Sequence, residues 1–159
     1  AFDGKLYPLD LMEKVIAGLS ETEKYQLFLF GGGSKEEVLL QKIADKYPNV
    51  ANMVGQLSFQ EELALISNLD LMVSMDSGNG HLAAIFGVQT ITLWGVTHPF
   101  AGFYPFNQPP ENALLADRKA FPLIPTSVYG NKFPEGYENA MRTITPEMVI
   151  EKVQRVAIM

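Results

Sequence analysis

The feature that most constrains the fold is a regular alternation between segments with helical periodicity and short apolar runs. Apolar residues fall at helical spacing in four segments: "LDLMEKVIAGL" after Pro8, about 35–47, 58–68, and "GHLAAIF" before Gly87. Four apolar runs are typical of buried strands: 25–30, "VANMVG", 70–75 and 89–94. Because helix and strand alternate at this spacing, the sequence predicts an α/β fold with a parallel sheet and right-handed crossovers.

Capping signals mark several helix boundaries. Ser34 is the predicted N-cap of the second helix, and "SFQE" from Ser58 has the form of a capping box at the start of the third. "TPE" from Thr145 starts a closing helix within residues 145–158. Residues 95–144 hold most of the prolines and one weak strand candidate, "ALLA". A loop region of this length is usually functional or poorly ordered.

Composition excludes several classes of protein. With 159 residues, 47% of them hydrophobic, the chain is long enough for one domain with its own core. A net charge of −6, without a basic run among aromatics, argues against a nucleic acid partner. No apolar run reaches the roughly 18 residues that span a bilayer, and the absence of cysteine excludes disulfides. The chain opens at "AFDGKLYP" without methionine, which favours a fragment of a longer protein.

Small and polar residues crowd the corner between the third strand and the fourth helix, "SMDSGNGHLAAIFG". In a parallel α/β sheet, ligands bind outside the carboxyl ends of the strands, where this corner lies. Gly78 and Gly80 let the backbone approach a ligand, and the helix amides suit a phosphate. Ser77 can add a hydroxyl, whereas Asp76 suits a sugar hydroxyl. The alternative, that Asp76 or Ser77 simply caps the helix, stays open.

Other side chains near strand ends are weaker candidates. His81, at the start of the fourth helix, is of a kind more often packed or capping than ligand-binding. Glu36 could hold a ribose diol, although an acidic first turn needs no function, and "GGGSKEE" fits neither the P-loop nor the dinucleotide fingerprint. Thr97 and His98 follow the fourth strand, as functional groups or as loop polar groups. Lys5 is by default a solvated lysine.

No familiar catalytic constellation can be assembled from these residues. The sequence offers no Ser-His-Asp arrangement, no metal-ligand spacing and no paired carboxylates of the glycosidase type. The residues alone therefore predict a domain that binds a phosphorylated ligand and lacks an obvious nucleophile or base of its own.

An ordered set of motifs resembles the C-terminal half of family 9 glycosyltransferases, the ADP-heptose:lipopolysaccharide heptosyltransferases. The motifs are "KLYP", "LFGGGSKEE", "GQLSFQEELALISNLDLMVSMDSGNGHLAAIFG" and "ITLWGVTHPFAGF". The similarity covers about Lys5 to Phe103, and "SVYGNK" and the closing helix match more loosely. It implies a Rossmann-like three-layer parallel sheet with flanking helices, the C-terminal, donor-binding half of a GT-B fold.

The resemblance implies roles for individual residues around a nucleotide-sugar donor. Ser77 and Gly78 match positions that hold the donor diphosphate, and Lys5 matches a lysine that neutralises the phosphates. His81 matches the motif histidine near the phosphates.

The same resemblance places the two ends of the donor. Asp76 matches an aspartate that faces the sugar, and Glu36 matches a glutamate that holds the ribose. Leu57 sits where backbone groups meet the adenine, while Thr97 and His98 are secondary candidates.

Two departures from the family pattern affect this prediction. The family's N-terminal domain, which carries the acceptor side and an aspartate general base, is absent from this chain. Near "LIPTSVYGNKFP", similar proteins tend to carry cysteines where this chain has Leu123, Thr126 and Pro134. Any metal or disulfide role of those cysteines is therefore lost here, and the structure of residues 95–144 is the least determined part of the prediction.

The resemblance implies an inverting, metal-independent glycosyltransferase whose catalytic base lies outside this chain. Its substrate would be a nucleotide sugar such as ADP-heptose, with no cofactor, and its acceptor a lipopolysaccharide-type glycolipid bound through the missing domain. The enzyme would be cytoplasmic, with at most peripheral contact at the inner face of the inner membrane. The alternatives are a GT-B-fold sugar-nucleotide epimerase and a non-catalytic nucleotide-sugar-binding module.

Overall fold

The structure is a computed structural model that describes residues 2–157. The described residues form α1 Leu9–Ser20, β1 Leu27–Leu29, α2 Ser34–Ala44, β2 Val50–Asn52, α3 Phe59–Ile66, β3 Leu71–Met75, α4 Gly78–Ile85, β4 Gln89–Trp94, β5 Ala113–Leu115 and α5 Pro146–Val156. Short 3₁₀ segments lie at Asp3–Lys5, Pro99–Ala101, Pro110–Asn112 and Tyr137–Thr143.

All the strand pairings are parallel, as predicted from the alternation. Hydrogen bonds join β1 to β2, and β4 lies between β3 and β5. In the central pair, Leu71 is opposite Gln89 and Met75 is opposite Leu93. The ladders of the described strands thus fall into a two-stranded and a three-stranded group, where the sequence had predicted one sheet.

Alternating side chains of the strands pack against helices on both faces, which gives the predicted three layers. Ile91 and Leu93 of β4 are fully buried and contact Val149 of α5, within a cluster that also contains α1. On the opposite face, Met72 of β3 packs with Ala83 of α4 in a cluster that includes α3. Among residues 2–157 no helix is long and apolar enough to cross a membrane.

The helix boundaries mostly follow the capping signals. Ser58 and Glu61 form both bonds of the predicted capping box. Thr145 caps α5 by accepting a hydrogen bond from the Met148 amide, and the helix ends at Val156, as predicted. Residue 158, the outer bound of the predicted closing segment, lies outside the described residues. The prediction that Ser34 is an N-cap is wrong. Gly33, with φ of +83°, occupies that position, and Ser34 is the first residue of α2.

The region from residue 95 to 144 is anchored by long-range contacts rather than by regular structure. The predicted "ALLA" strand forms as β5, and the backbone amide of Thr126 donates to the Val96 carbonyl at 2.9 Å. The Tyr7 hydroxyl donates to the Ile144 carbonyl at 2.7 Å. These bonds hold the loops against the carboxyl end of β4, next to the corner that precedes α4.

Candidate functional site

The corner between β3 and α4 leaves the start of the helix without a side-chain cap. Ser77 occupies the N-cap position with extended φ of −149° and ψ of 166°, yet no side chain accepts a hydrogen bond from the first turn. The Ser77 hydroxyl lies 2.9 Å from Ser74 Oγ instead. The Ser74 hydroxyl donates to the Met75 carbonyl at 2.8 Å, so Ser77 is the donor between the two serines. The simple capping interpretation of Asp76 and Ser77 is therefore wrong.

The two glycines of this corner serve different purposes. A Cβ at Gly80 would lie 3.0 Å from Ser74 Oγ, so glycine lets α4 pack closely on β3. A Cβ at Gly78 would have no atom within 4 Å, so the helix start faces open space. Uncapped amides and the positive end of a helix dipole are the features that favour a negatively charged group at a helix start.

A buried ion pair lies next to the helix start. Lys5 Nζ is 2.7 Å from Asp76 Oδ2, and the two side chains are only 14% and 4% exposed. Apart from this ion pair, Asp76 Oδ2 has no polar partner among residues 2–157. Lys5 is therefore not a solvated lysine, and the resemblance located a group that its local sequence had not marked. Coulomb attraction holds the pair at the carboxyl end of β3.

Three glycines from distant segments position Lys5. The Gly4 carbonyl accepts a hydrogen bond from the Val96 amide at 3.2 Å, and a Cβ at Gly95 would lie 2.6 Å from that carbonyl oxygen. Gly130, with φ of +70°, passes so close to Lys5 that a Cβ there would lie 2.8 Å from Lys5 Cγ. Glycine at 130 therefore leaves room for the Lys5 stem, while glycine at 4 and 95 lets the backbone before Lys5 lie close to the end of β4.

Thr97 and His98 have different environments. Thr97 is fully buried, and its Oγ1 has no hydrogen-bond partner among residues 2–157. Its methyl group would lie 3.1 Å from a Cβ at Gly130, which places Thr97 beside the Lys5 stem. His98 is also buried, and its Nδ1 accepts a hydrogen bond from the Phe100 amide at 3.2 Å. Burial lowers the pKa of the His98 imidazole, and the charge of Arg118 lowers it further. His98 thus caps a 3₁₀ turn as a neutral ring.

Two aromatic rings to which the sequence analysis gave no role lie near the ion pair. Lys5 Nζ lies 5.8 Å from the centroid of the Phe103 ring, within cation–π range. The Phe103 and Tyr129 rings are 6.2 Å apart and tilted by 50°. The only sequence signal was their presence in "THPFAGF" and "SVYGNK", because their approach depends on the folding of two separate loops.

The remaining predicted residues lie at neighbouring strand ends. Glu36 Oε2 accepts a hydrogen bond from the Gly32 amide at 2.8 Å, so this carboxylate orders the glycine loop after β1. Leu57 is half-buried after β2, and His81 is half-buried in α4. Within the described part of the chain, neither Leu57 nor His81 contacts the ion pair through a hydrogen bond. The structure thus joins Lys5 with Asp76, and leaves the others separated along the same edge.

These features define an α/β domain in which an uncapped helix start and a buried ion pair lie at the carboxyl ends of parallel strands, the edge where ligands bind in such sheets. The sequence model of glycosyltransferase family 9 (heptosyltransferase) matches residues 1–122. The chain belongs to this family, as its motifs had predicted.

Two curated relatives have the same name, lipooligosaccharide heptosyltransferase 2. The protein from Haemophilus influenzae is 29% identical over 143 residues, which cover 87% of this chain and 39% of that protein. A Campylobacter jejuni protein is 26% identical over 142 residues, which cover 86% of this chain and 42% of its own length. The chain therefore spans about two fifths of the length of these relatives.

Solved structures share the fold. E. coli ADP-heptose lps heptosyltransferase II superposes with a TM-score of 0.72 at 21% identity, over 99% of this chain and 43% of its own. E. coli heptosyltransferase WaaC with ADP superposes with a TM-score of 0.72 at 21% identity, and the match covers 97% of this chain and 41% of the WaaC chain. The predicted fold class, an α/β half of a GT-B glycosyltransferase, is confirmed.

Proposed function

We propose that this chain is the donor-binding domain of an inverting glycosyltransferase that transfers heptose from ADP-heptose to a lipopolysaccharide-type glycolipid. Family membership and the names of the similar proteins support heptose as the sugar, and the similar E. coli enzyme with ADP supports an adenine nucleotide. The reaction needs no metal or other cofactor in this proposal, because Lys5 and the start of α4 supply positive charge to the diphosphate.

One observation carries the proposal: a lysine held within a buried ion pair beside an uncapped helix start. Departure of a nucleoside diphosphate develops negative charge on its phosphate oxygens. Fixed donors that face this charge lower the barrier, by about 3 kcal/mol for one well-placed donor. The backbone amides of Gly78 and its neighbours and the Lys5 ammonium are such donors, and the Ser77 hydroxyl joins them if it turns away from Ser74 when the diphosphate binds.

The remaining roles follow the order of the strand ends. Asp76 accepts a hydrogen bond from a sugar hydroxyl, and His81 lies near the phosphates. Glu36 holds the ribose, and the backbone at Leu57 meets the adenine. A partner domain, outside this chain, carries the general base and the acceptor. Because that acceptor is a membrane glycolipid, the enzyme works in the cytoplasm at the inner face of the inner membrane through peripheral contact.

Calorimetry with ADP and ADP-heptose tests the proposal. Replacement of Gly78 by Ala adds a methyl group into open space, so the fold is retained while the approach of phosphate is obstructed. We expect Gly78→Ala to lower ADP affinity at least tenfold with no loss of thermal stability.

Lys5→Gln should lower ADP affinity about tenfold, because a charge-assisted hydrogen bond is lost. Lys14→Gln is the matched control, since Lys14 is an exposed lysine of α1, away from this edge. The proposal fails if the chain does not bind ADP, or if the Gly78 and Lys5 variants both bind ADP as the parent chain does. The isolated chain should transfer no sugar, and a transfer assay with an N-terminal domain present separates transferase from binding module.

A further inference from the structure

Two aromatic rings lie beside Lys5: Phe103 contacts its ammonium, and Tyr129 packs near Phe103. Phe103 follows Gly102, whose φ of +94° turns the chain after the 3₁₀ segment Pro99–Ala101. Tyr129 precedes Gly130, whose φ of +70° turns a second loop back over the Lys5 stem. The two turns bring the rings of Phe103 and Tyr129 within 6.2 Å of each other, and Phe103 lies 5.8 Å from the ammonium that pairs with Asp76.

The two rings remain accessible although they lie next to a buried charge. Tyr129 is 58% exposed, Phe103 is half-buried, and the pair stays tilted with its centroids 6.2 Å apart. The Tyr129 hydroxyl makes no hydrogen bond with the described residues. An aromatic surface bordered by an ammonium and a carboxylate fits a ligand that is apolar on one face and polar at its edge.

The position of the rings selects a part of the ligand. Along the carboxyl edge, β2 and β1 lead to Leu57 and Glu36, β3 leads to the helix start at Ser77, and β4 leads to Phe103. In the proposed function the base lies at β1 and β2 and the phosphates at β3. Because β4 is the strand that pairs with β3, we place the remaining substituent of the nucleoside diphosphate toward β4. That substituent is the sugar.

We infer that Phe103 and Tyr129 form the aromatic wall of the subsite for the transferred sugar. A pyranose ring places its C–H groups on a ring face and its hydroxyls at the rim. The C–H face packs on the electron-rich faces of the two rings, and the rim points to Asp76. This inference rests on the proposed function, and it assigns to sugar selection two residues to which the resemblance gave no role.

The affinity ratio between ADP-heptose and ADP tests the wall separately from the nucleotide site. We expect Phe103→Ala and Tyr129→Ala each to lower ADP-heptose affinity roughly threefold to tenfold while ADP affinity stays unchanged. Tyr129→Phe keeps the ring, so the ratio of ADP-heptose affinity to ADP affinity should stay close to that of the parent chain. Phe106→Ala is the matched control, because Phe106 is a 75% exposed phenylalanine of the same loop region.

Each result decides a different question. Unchanged ADP affinity with a lower ratio in both alanine variants supports the wall, and retained ADP binding shows that the variants fold. If ADP binds and the ratio is the same in the parent chain and all variants, the wall is overturned while the proposed function stands. If ADP affinity falls together with ADP-heptose affinity, the rings contact the base instead and the inference is wrong. If the parent chain binds no ADP, both fail.

Discussion

At the residue scale, Gly130 combines two separate requirements for glycine. Its φ of +70° is a left-handed conformation that side chains disfavour, and a Cβ would collide with Lys5 Cγ at 2.8 Å and with the Thr97 methyl at 3.1 Å. Gly136 has a similar φ of +87°, but a Cβ there would have no atom within 4 Å. A substitution at Gly136 therefore tests backbone strain alone, whereas one at Gly130 tests backbone strain together with steric crowding against Lys5 and Thr97.

Gly130→Ala should destabilise the chain more than Gly136→Ala. We expect the Gly136 variant to lose about 1–2 kcal/mol in free energy of unfolding, from the left-handed backbone alone. The Gly130 variant should lose roughly 1–3 kcal/mol more, because the added methyl group displaces the Lys5 stem. Urea unfolding measures both values. Equal losses would contradict the packing of Lys5 against Gly130.

Residues of the site differ in how far the sequence reveals them. The corner at Asp76 and Ser77 could be predicted, because glycines and small polar residues follow a strand within one short segment. The pairing of Lys5 with Asp76 could not be predicted, because nothing in the sequence around Lys5 indicates that this lysine is buried. Phe103 and Tyr129 were missed for the same reason, since their approach depends on two loops that meet only in the fold.

At the element scale, the helix starts fall into capped and uncapped kinds. In α3 the Ser58 hydroxyl accepts from the Glu61 amide, and the Glu61 carboxylate accepts from the Ser58 amide at 2.8 Å. These bonds to Ser58 lower the pKa of Glu61. In α4 the serine at the equivalent position, Ser77, makes no such bond. A serine before a helix is therefore not by itself evidence of a cap.

Replacing these two serines by alanine should have unequal effects on stability. Ser58→Ala should cost about 1 kcal/mol in free energy of unfolding, the usual value for a lost N-cap. Ser77→Ala should cost clearly less than Ser58→Ala, since it removes only the contact with Ser74. Urea unfolding of the two variants gives the comparison. A Ser77→Ala cost as large as that of Ser58→Ala would mean that Ser77 caps α4 after all.

Most elements could be predicted because periodicity and capping are local properties. The fourth strand was placed at its observed bounds, and the third helix began where its capping box indicated. The start of α2 was misplaced by one residue, because "GGGS" offers both a serine and a glycine for the N-cap. Division of the strands into two ladders had no local signal, because it depends on which strands pair with one another across the fold.

At the scale of the whole molecule, two contacts tie the beginning of the described chain to the segment before α5. The buried Tyr7 hydroxyl donates to the Ile144 carbonyl, and the Arg142 guanidinium makes two hydrogen bonds to Asp10 at 2.9 and 3.0 Å. These partners are more than a hundred residues apart in sequence. They explain why the loop region before α5 could not be predicted from its own residues.

Tyr7 should make the stability of the chain depend on pH in the alkaline range. Burial, with the negative charges of Glu147 and Asp10, raises the pKa of Tyr7 to about 12, from 10.0 when unfolded. The unfolded chain therefore releases this proton first, so the contribution of Tyr7 is complete below pH 10 and is lost as pH rises to about 12.

The free energy of unfolding should fall by on the order of 1–2 kcal/mol across that interval because of Tyr7. Comparison with Tyr7→Phe isolates this effect. The variant is less stable at neutral pH, since it lacks the bond to Ile144, but its stability should decline less steeply with pH. Parallel pH curves for the two chains, measured by urea unfolding, would contradict the assignment.

The position of Lys5 also bears on where a minimal domain can be delimited. Every described strand and α-helix lies at or after Leu9, the first residue of α1. A domain boundary chosen from the helices and strands alone would therefore fall at Leu9, and the shortened chain would keep all the parallel strands and their flanking helices. It would also remove the short 3₁₀ segment Asp3–Lys5, and with it the only cation that contacts Asp76 within residues 2–157. A shortened protein of this kind would fold around an unpaired buried carboxylate, whose negative charge would oppose the binding of any anion at the neighbouring start of α4.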